Sequence, residues 1–253
     1  MLDDVWNDDS VKWLNLKKLL MSGARGSKIL VTSCSVVVAM MVQTVQPYFL
    51  KGLSELDSQF LFKQIAFENG QEPVNSSIEE IGLEILRECG GVPLLIKTVG
   101  GLLYFKNTSK AEWLSFKDHV KFIKNESNDI LPLLKLSYNH FPSHLKQCFA
   151  FFCLFPKDYK FHKPTLIQMW IAQGFIRLSG PNLKEVGREY FMELLWRSYF
   201  EEVEEDEKGN VLYFKIHDLM HDIAKAVTND CVTSNTNEEI IHKNIRHVSF
   251  DGW

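Results

Sequence analysis

Phe200-Glu201-Glu202-Val203, then Lys208-Gly209-Asn210, then Val211-Leu212-Tyr213-Phe214-Lys215-Ile216-His217-Asp218: two short β-prone runs flank a turn signal, and a helix start follows at once. Gly and Asn accept the left-handed backbone that a tight hairpin needs. Upstream, apolar residues recur at helical spacing over Ile130–Tyr138, His144–Phe152, Pro164–Gln173 and Leu183–Arg197. Helices, a hairpin and a closing helix from His217 make a winged helix over residues 129–229.

The rhythm differs on either side. Residues 52–128 read as a helical bundle. Asp57 is the expected cap of a helix carrying Phe60, Leu61, Ile65 and Ala66. Ser76 or Ser77 with Glu79 and Glu80 resembles a capping box, and that helix ends at Gly90-Gly91. Pro93 opens a new apolar helix from its first position, and Ala111–Lys124 completes the bundle. Residues 1–51 alternate instead: a helix over Val11–Met21 stopped by Gly23, a strand in Ser27–Ser33, a helix capped by Ser35, and a strand at Tyr48–Leu50. That alternation implies parallel strands joined by crossovers. Residues 230–253 are polar and aperiodic up to Ile245–Phe250, so the fold class is mostly α with an α/β remnant.

A chain of 253 residues, 45% hydrophobic, can bury more than one core. Its net charge of −4 gives no general attraction to nucleic acid or an anionic surface, and no apolar run reaches the roughly 18 residues of a membrane span. Five Cys without a signal peptide read as reduced cytosolic thiols, so a cytoplasmic location is expected.

Four groups of residues carry candidate chemistry. Leu2-Asp3-Asp4-Val5-Trp6 reads as the end of a buried strand with two carboxylates, where a P-loop nucleotide-binding fold holds Mg²⁺ beside phosphates. The alternative is that the acids cap the next loop. The Gly-rich loop ending in Lys and Ser or Thr, the usual companion, would lie upstream, where only Met1 stands; a lost phosphate cradle is the expectation. Gly91-Val92-Pro93-Leu94 lets backbone approach a ligand and presents an apolar ring for a base, or is simply a joint between helices. Ile216-His217-Asp218 puts an imidazole at a helix N-terminus, where anions are favoured, or Asp218 merely complements the helix dipole.

Two other sites fit poorly. His217 and His221 share the i, i+4 spacing of zinc proteases, but Asp218 stands where those enzymes have Glu, and no third ligand follows on pattern; no zinc is expected. His140, His144, Cys148 and Cys153 lie among Phe149, Phe151, Phe152 and Phe155, which favours core thiols over a metal site. The hairpin carries Glu201, Glu202, Glu204, Glu205, Asp206 and Glu207, which would repel a phosphate backbone; no nucleic acid is expected.

In order and spacing the segments resemble the plant NB-ARC disease-resistance proteins of the nucleotide-binding, leucine-rich-repeat type. Leu2–Trp6 looks like the Walker-B element, its Trp pointing to the coiled-coil subclass, and Gly26–Ser35 looks like the sensor strand. Gly91-Val92-Pro93-Leu94 matches the GLPL motif. Cys148–Ala150, Phe155–Tyr159 and Met169–Ile176 match the winged-helix signature, Ile216-His217-Asp218 sits at Met-His-Asp, and Ile245–Phe250 resembles the entry to the repeats. The sensor motif departs from Thr-Thr-Arg: Thr32-Ser33-Cys34 lacks the charged fork.

The resemblance implies a fragment of an immune receptor in which ADP holds three domains closed and ATP opens them. It divides the chain into the C-terminal part of the nucleotide-binding domain (1–51, a partial P-loop parallel sheet), a helical subdomain (52–128), a winged helix (129–229) and a linker toward leucine-rich repeats (230–253). Asp3 would bind Mg²⁺ and Asp4 would act in hydrolysis. Thr32, Pro93, Leu94 and His217 would complete the ADP/ATP site, with Pro93 on adenine and His217 on the β-phosphate. Both should face one cavity. Without its cradle the isolated chain should bind nucleotide weakly and not act as an enzyme. Implied partners are other domains of the receptor and signalling proteins. The alternative is an interaction module that binds no nucleotide, or a pseudogene-like remnant.

Overall fold

The computed structural model describes residues 1–67, 76–105, 109–127, 129–176, 182–228, 231–234 and 247–250, the last two stretches as backbone only. The chain divides into two compact units, Met1–Lys51 and Gly52–Trp253.

In the first unit, Asp9 accepts the Val11 and Lys12 N–H groups and starts α1 (Ser10–Leu20). Ser35 caps α2 (Val36–Val42) through the Val38 N–H, as its position in the sequence indicates. The strands expected at Ser27–Ser33 and Tyr48–Leu50 do not form. A single parallel bridge, Leu2 to Val31, stands in their place. The reason is burial: a parallel strand is stable when covered on both faces, yet Ile29, Leu30, Tyr48 and Leu50 are all exposed. Val38 is the one fully buried residue among the described residues of this unit.

The second unit holds the core. Its first helix, α3 (Glu55–Ala66), is capped by Ser54 and not by Asp57. Ser54 Oγ accepts the Asp57 N–H at 3.1 Å and donates to Asp57 Oδ2 at 2.6 Å, so Asp57 is the third residue of the turn that Ser54 closes. Helices α4 (Ser76–Glu88), α5 (Pro93–Phe105) and α6 (Lys110–Glu126) follow. Phe62, Ile85, Leu95, Trp113 and Phe116 are buried between them.

The winged helix comprises α7 (Leu131–Asn139), α8 (Ser143–Ala150) with a 3-10 turn at Phe151–Leu154, β1 (Phe161–His162), α9 (Lys163–Ala172), α10 (Leu183–Trp196), β2 (Phe200–Glu205), β3 (Val211–Ile216) and α11 (Asp218–Ala226). The antiparallel sheet runs β1-β3-β2, with Phe161 opposite Phe214 and Phe200 opposite Ile216. The two-residue β1 carries no periodicity that a sequence would reveal. At the turn, Asp206 accepts the Lys208 and Asn210 N–H groups, and these hydrogen bonds, led by those of Asn210, hold its carboxyl below the usual range. Beyond the wing, β4 (Cys231–Ser234) pairs in parallel with β5 (His247–Phe250), where the sequence suggested only aperiodic chain for β4.

Phe152 lies at the centre, with ring centroids of Phe161, Phe200, Phe214, Trp170 and Phe149 between 5.0 and 6.5 Å away. Cys148 and Cys153 are buried beside it, and burial pushes the Cys148 thiol up to about 12, which makes it inert. The nearby His140 Nδ1 donates to Leu136 O at 2.8 Å, and His144 stacks on Tyr190 at 4.3 Å. Each is satisfied locally.

Residues 52–228 should therefore fold without the first unit. Produced alone, they should unfold in one cooperative urea transition with dispersed amide signals. A broad, non-cooperative loss of signal would show that the first unit is needed.

Candidate functional site

The six candidate residues fall into two groups, one in each unit. In the first unit, Leu2 donates to Leu30 O at 2.8 Å and Thr32 donates to Leu2 O at 3.0 Å, which draws Thr32 level with the acid pair. The Thr32 hydroxyl donates to the Asp3 carboxylate and accepts the Asp4 N–H at 2.9 Å. Asp4 takes a left-handed φ of 51°. Asp3, Asp4 and Thr32 are thus brought together, with both acids exposed. Cys34, at the place of the sensor Arg, is exposed too.

In the second unit, the joint between α4 and α5 sets Pro93. Gly90 and Gly91 both have positive φ, 59° and 73°. Leu53 N–H donates to Gly91 O at 2.8 Å, and a Cβ at Gly91 would lie 2.7 Å from Leu53 O. The backbones approach too closely for a side chain. Pro93 then stands exposed at the first position of α5, while Leu94 packs against the core.

The next turns of α5 lead to His217. Lys97 lies four residues after Pro93 on the same face and is exposed. Gly101, four further on, passes over Arg197, whose Cα would be 3.5 Å from an added Cβ. Arg197 is buried, bound to Glu193 at 2.7 Å, and precedes Tyr199, whose carbonyl accepts the His217 N–H at 3.3 Å. His217 is the N-cap of α11: its Nδ1 accepts the Leu219 N–H at 3.4 Å. In the neutral ring the proton is therefore on Nε2, which faces outward with Glu201 Oε2 at 3.9 Å. Burial, reinforced by the charge of Lys97, lowers the His217 pKa, so the ring is neutral near pH 7 and this approach is no ion pair. Desolvation raises the Glu201 pKa, with Asp218, Glu202 and Asp158 adding to the effect.

One helical turn on, His221 is fully buried. Its Nε2 donates to Phe155 O at 2.7 Å, and its Nδ1 has no hydrogen-bond partner among the described residues. Burial lowers its pKa against the opposing influence of that hydrogen bond. His221 is thus an anchor for α11, and its role is separate from that of His217. Lys97 and Glu201 are the site residues that sequence reading passed over: the first was legible from its spacing to Pro93, the second only from the strand register.

Two cavities are described in the second unit. A cavity of about 240 Å³ between α3 and α4 is lined by Leu53, Ser58, Leu83, Arg87 and Gly91, among others, and a second of about 290 Å³ by Ser143, His144, Gln147, Phe175 and Tyr190. Neither includes Pro93, Leu94 or His217. Among the described residues, no helix is long and apolar enough to cross a membrane.

Comparison with known proteins shows what the chain is similar to. Residues 154–224 match the family described as the winged helix domain of disease resistance proteins. The chain is 42% identical over 255 aligned positions to the disease resistance protein RGA2 of Solanum bulbocastanum, covering all of this chain and 26% of that protein. RGA1 and RGA4 of the same plant are 42% and 45% identical over the same length, each with 25% of its own length covered. The disease resistance RPP13-like protein 4 of Arabidopsis thaliana is 33% identical over 263 positions, covering all of this chain and 30% of that protein. The chain spans about a quarter of the length of these curated relatives.

Two outcomes test the geometry. Gly91→Ala should cost about 2–4 kcal/mol, combining left-handed strain with a clash, whereas Gly90→Ala, with open space around it, should cost about 1 kcal/mol. Urea unfolding of both variants measures the order; equal costs would mean that Leu53 does not hold the joint. The second concerns pH. The unfolded chain protonates its imidazoles below about pH 6.5, the folded chain only lower. The stability given by neutral His217 and His221 is therefore complete above that range and is lost as pH falls through it, by at most about 1.4 kcal/mol per pH unit for each ring. Glu201, with a raised pKa, acts in the opposite sense at lower pH. His217→Asn, which keeps a capping side chain, should flatten the slope; an unchanged slope would contradict the burial of this ring.

Proposed function

The chain belongs to the plant disease resistance proteins, whose winged-helix domain it carries, and from that premise we propose that it is the switch portion of an immune receptor that senses a nucleoside diphosphate. The observation that supports the reading is the neutral His217 ring at the start of α11, with Nδ1 committed to the Leu219 N–H and Nε2–H directed outward. A neutral donor beside a helix N-terminus suits a phosphate oxygen, because the free N–H groups and the dipole attract the anion while the ring itself adds no fixed charge.

The remaining parts have assigned roles. The Pro93 ring packs on the base, Lys97 balances phosphate charge, and Leu94 holds α5 to its core. Asp3 fits Mg²⁺, which takes oxygen donors and is bound through one or two carboxylates with phosphates and waters. Thr32 fixes the Asp3 rotamer, and Asp4 orients water in the intact receptor. Mg²⁺ would supply charge neutralisation of the phosphates there. The cytoplasm, where nucleotide is abundant, is the location this reading requires, and the other domains of the receptor and signalling proteins are its partners. The 253 residues contain no Gly-rich loop ending in Lys and Ser or Thr. Successive loop amides and that Lys supply most phosphate affinity in such folds, so this chain should bind ADP at about millimolar strength and turn over no ATP, since association alone costs at least about 4 kcal/mol.

Titration of the chain with Mg²⁺ and ADP, followed by NMR, tests this. The His217 ring and Leu94 amide signals should move together with a dissociation constant near the millimolar range. If both stay fixed while remote lysines respond, the switch reading falls, and the chain is an interaction module. A constant below about 10 μM would show that no further phosphate-binding loop is needed.

A further inference from the structure

An acid stands beside the outward nitrogen of His217, an unexpected neighbour for a phosphate donor. Glu201 Oε2 stands 3.9 Å from His217 Nε2. Strand register contributes to this: Glu201 pairs with Lys215 in an antiparallel ladder, and His217, two residues beyond Lys215, lies on the same face in a diagonal position to Glu201. Lys215 does not take it up as an ion pair. That ammonium is bound to Glu202 at 2.9 Å and Asp158 at 3.3 Å. Beyond Glu201 the strand bulges between Glu201 and Glu204, and Glu202 adopts a φ of 45°, which turns the next carboxylate toward Lys215 and leaves Glu201 on the His217 side.

The charges around the imidazole are therefore unequal on its two sides. The charge of Lys97, on α5, acts on it against protonation. Glu201 faces it from β2; burial first, and then the charges of Asp218, Glu202 and Asp158, disfavour its ionisation, while Lys215 opposes them. Glu201 is only partly exposed, so its interaction with a neighbouring anion is less screened than that of a free surface acid. A phosphoryl group accepting from Nε2–H and neutralised by Lys97 fits this frame. A second phosphoryl beyond it carries further negative charge toward Glu201.

We propose that Glu201 limits the phosphoryl count at His217, so that the site accepts the end of a nucleoside diphosphate and rejects a triphosphate. This rests on the nucleotide reading above and names the residue that gives it direction. Glu201 is a specificity residue: it touches neither base nor metal and acts by repulsion, the usual means of excluding a near-identical ligand. At a separation of about 6 Å and an effective dielectric constant of about 20–40, one added charge is disfavoured roughly tenfold or more.

The test compares ADP with ATP, each with Mg²⁺, on the 253-residue chain by following the His217 ring signal. Glu201→Gln removes the charge and keeps the shape. It should strengthen ATP binding about tenfold and ADP binding about threefold, narrowing the preference for ADP. Glu202→Gln makes the same change in net charge but lies on the Lys215 side, and should leave the preference unaltered. Aromatic-proton shifts of Phe152 and Phe214 serve as the check that each variant is folded. If ADP moves the His217 signal but Glu201→Gln leaves the ADP-to-ATP ratio unchanged, the role of Glu201 is refuted and the nucleotide reading stands. Equal effects of the two variants would also refute it, leaving only general electrostatics. If neither nucleotide moves the signal up to roughly 10 mM in wild type or Glu201→Gln, both readings fall together.

Discussion

The ring of Phe152 meets those of Phe161, Phe200 and Phe214 within 6.4 Å, and the elements that position His217 rest on that contact. Phe161 and Phe214 stack across the β1–β3 pair, and Phe200 faces Ile216 across β2–β3. The sheet is too small to be stable alone. It is held because one face lies on an aromatic layer supplied by the 3-10 turn after α8. Since Phe200 and Ile216 end their strands there, the residue after β3, His217, is placed by the same packing. Loss of a buried Phe of this kind costs about 3–5 kcal/mol, enough to displace both hairpin and α11.

The helix that carries His217 is fixed along its length as well. His221 Nε2 donates to Phe155 O at 2.7 Å, and Asp222 pairs with Lys157 at 3.0 Å. The surface ion pair contributes little by itself. The buried hydrogen bond matters more, because its loss would strand a carbonyl and an imidazole in an apolar core. Tyr199 adds a second polar tie, its buried phenol bonded to the Ser137 hydroxyl, which links the start of the wing to α7. Burial raises the phenol pKa and keeps it protonated as a donor.

Much of this was legible in the chain itself. Gly90-Gly91 before Pro93 announces a helix end and a helix start, and Lys208-Gly209-Asn210 between β-prone runs announces the hairpin, because backbone sterics alone make those statements. Ser54 was missed as a cap because Asp57, three residues on, carries an equally good acceptor; only the backbone conformation at Ser54 decides between them. The strands expected near Ile29 and Tyr48 rested on apolar runs that have nothing to be buried against within the first unit, so local propensity gave no strand. At the site, Asp3 and Thr32 were both singled out, but their mutual hydrogen bond is a fact of parallel pairing that no spacing encodes. Glu201 was read as one of several repulsive acids, and its particular position follows from a register and a bulge.

A consequence of this architecture concerns how the site can respond. His217 caps its helix through Nδ1, donates its own N–H to Tyr199 O, and gives its carbonyl to the His221 N–H. Three of its polar groups are committed to the fold, and only Nε2 is left for a ligand. A phosphate bound there, as proposed, would need no change in the rotamer or cap of His217 and no charge on the imidazole. The same holds on the other side: Pro93 and Lys97 lie on one rigid helix whose Gly101 face is seated on Arg197. With both contact surfaces rigid, ligand exchange cannot be absorbed by local adjustment. On the nucleotide reading it would be expressed as movement of whole elements, and the contacts that would yield first are the polar ones around Nε2, where the carboxylate of Glu201 stands 3.9 Å away.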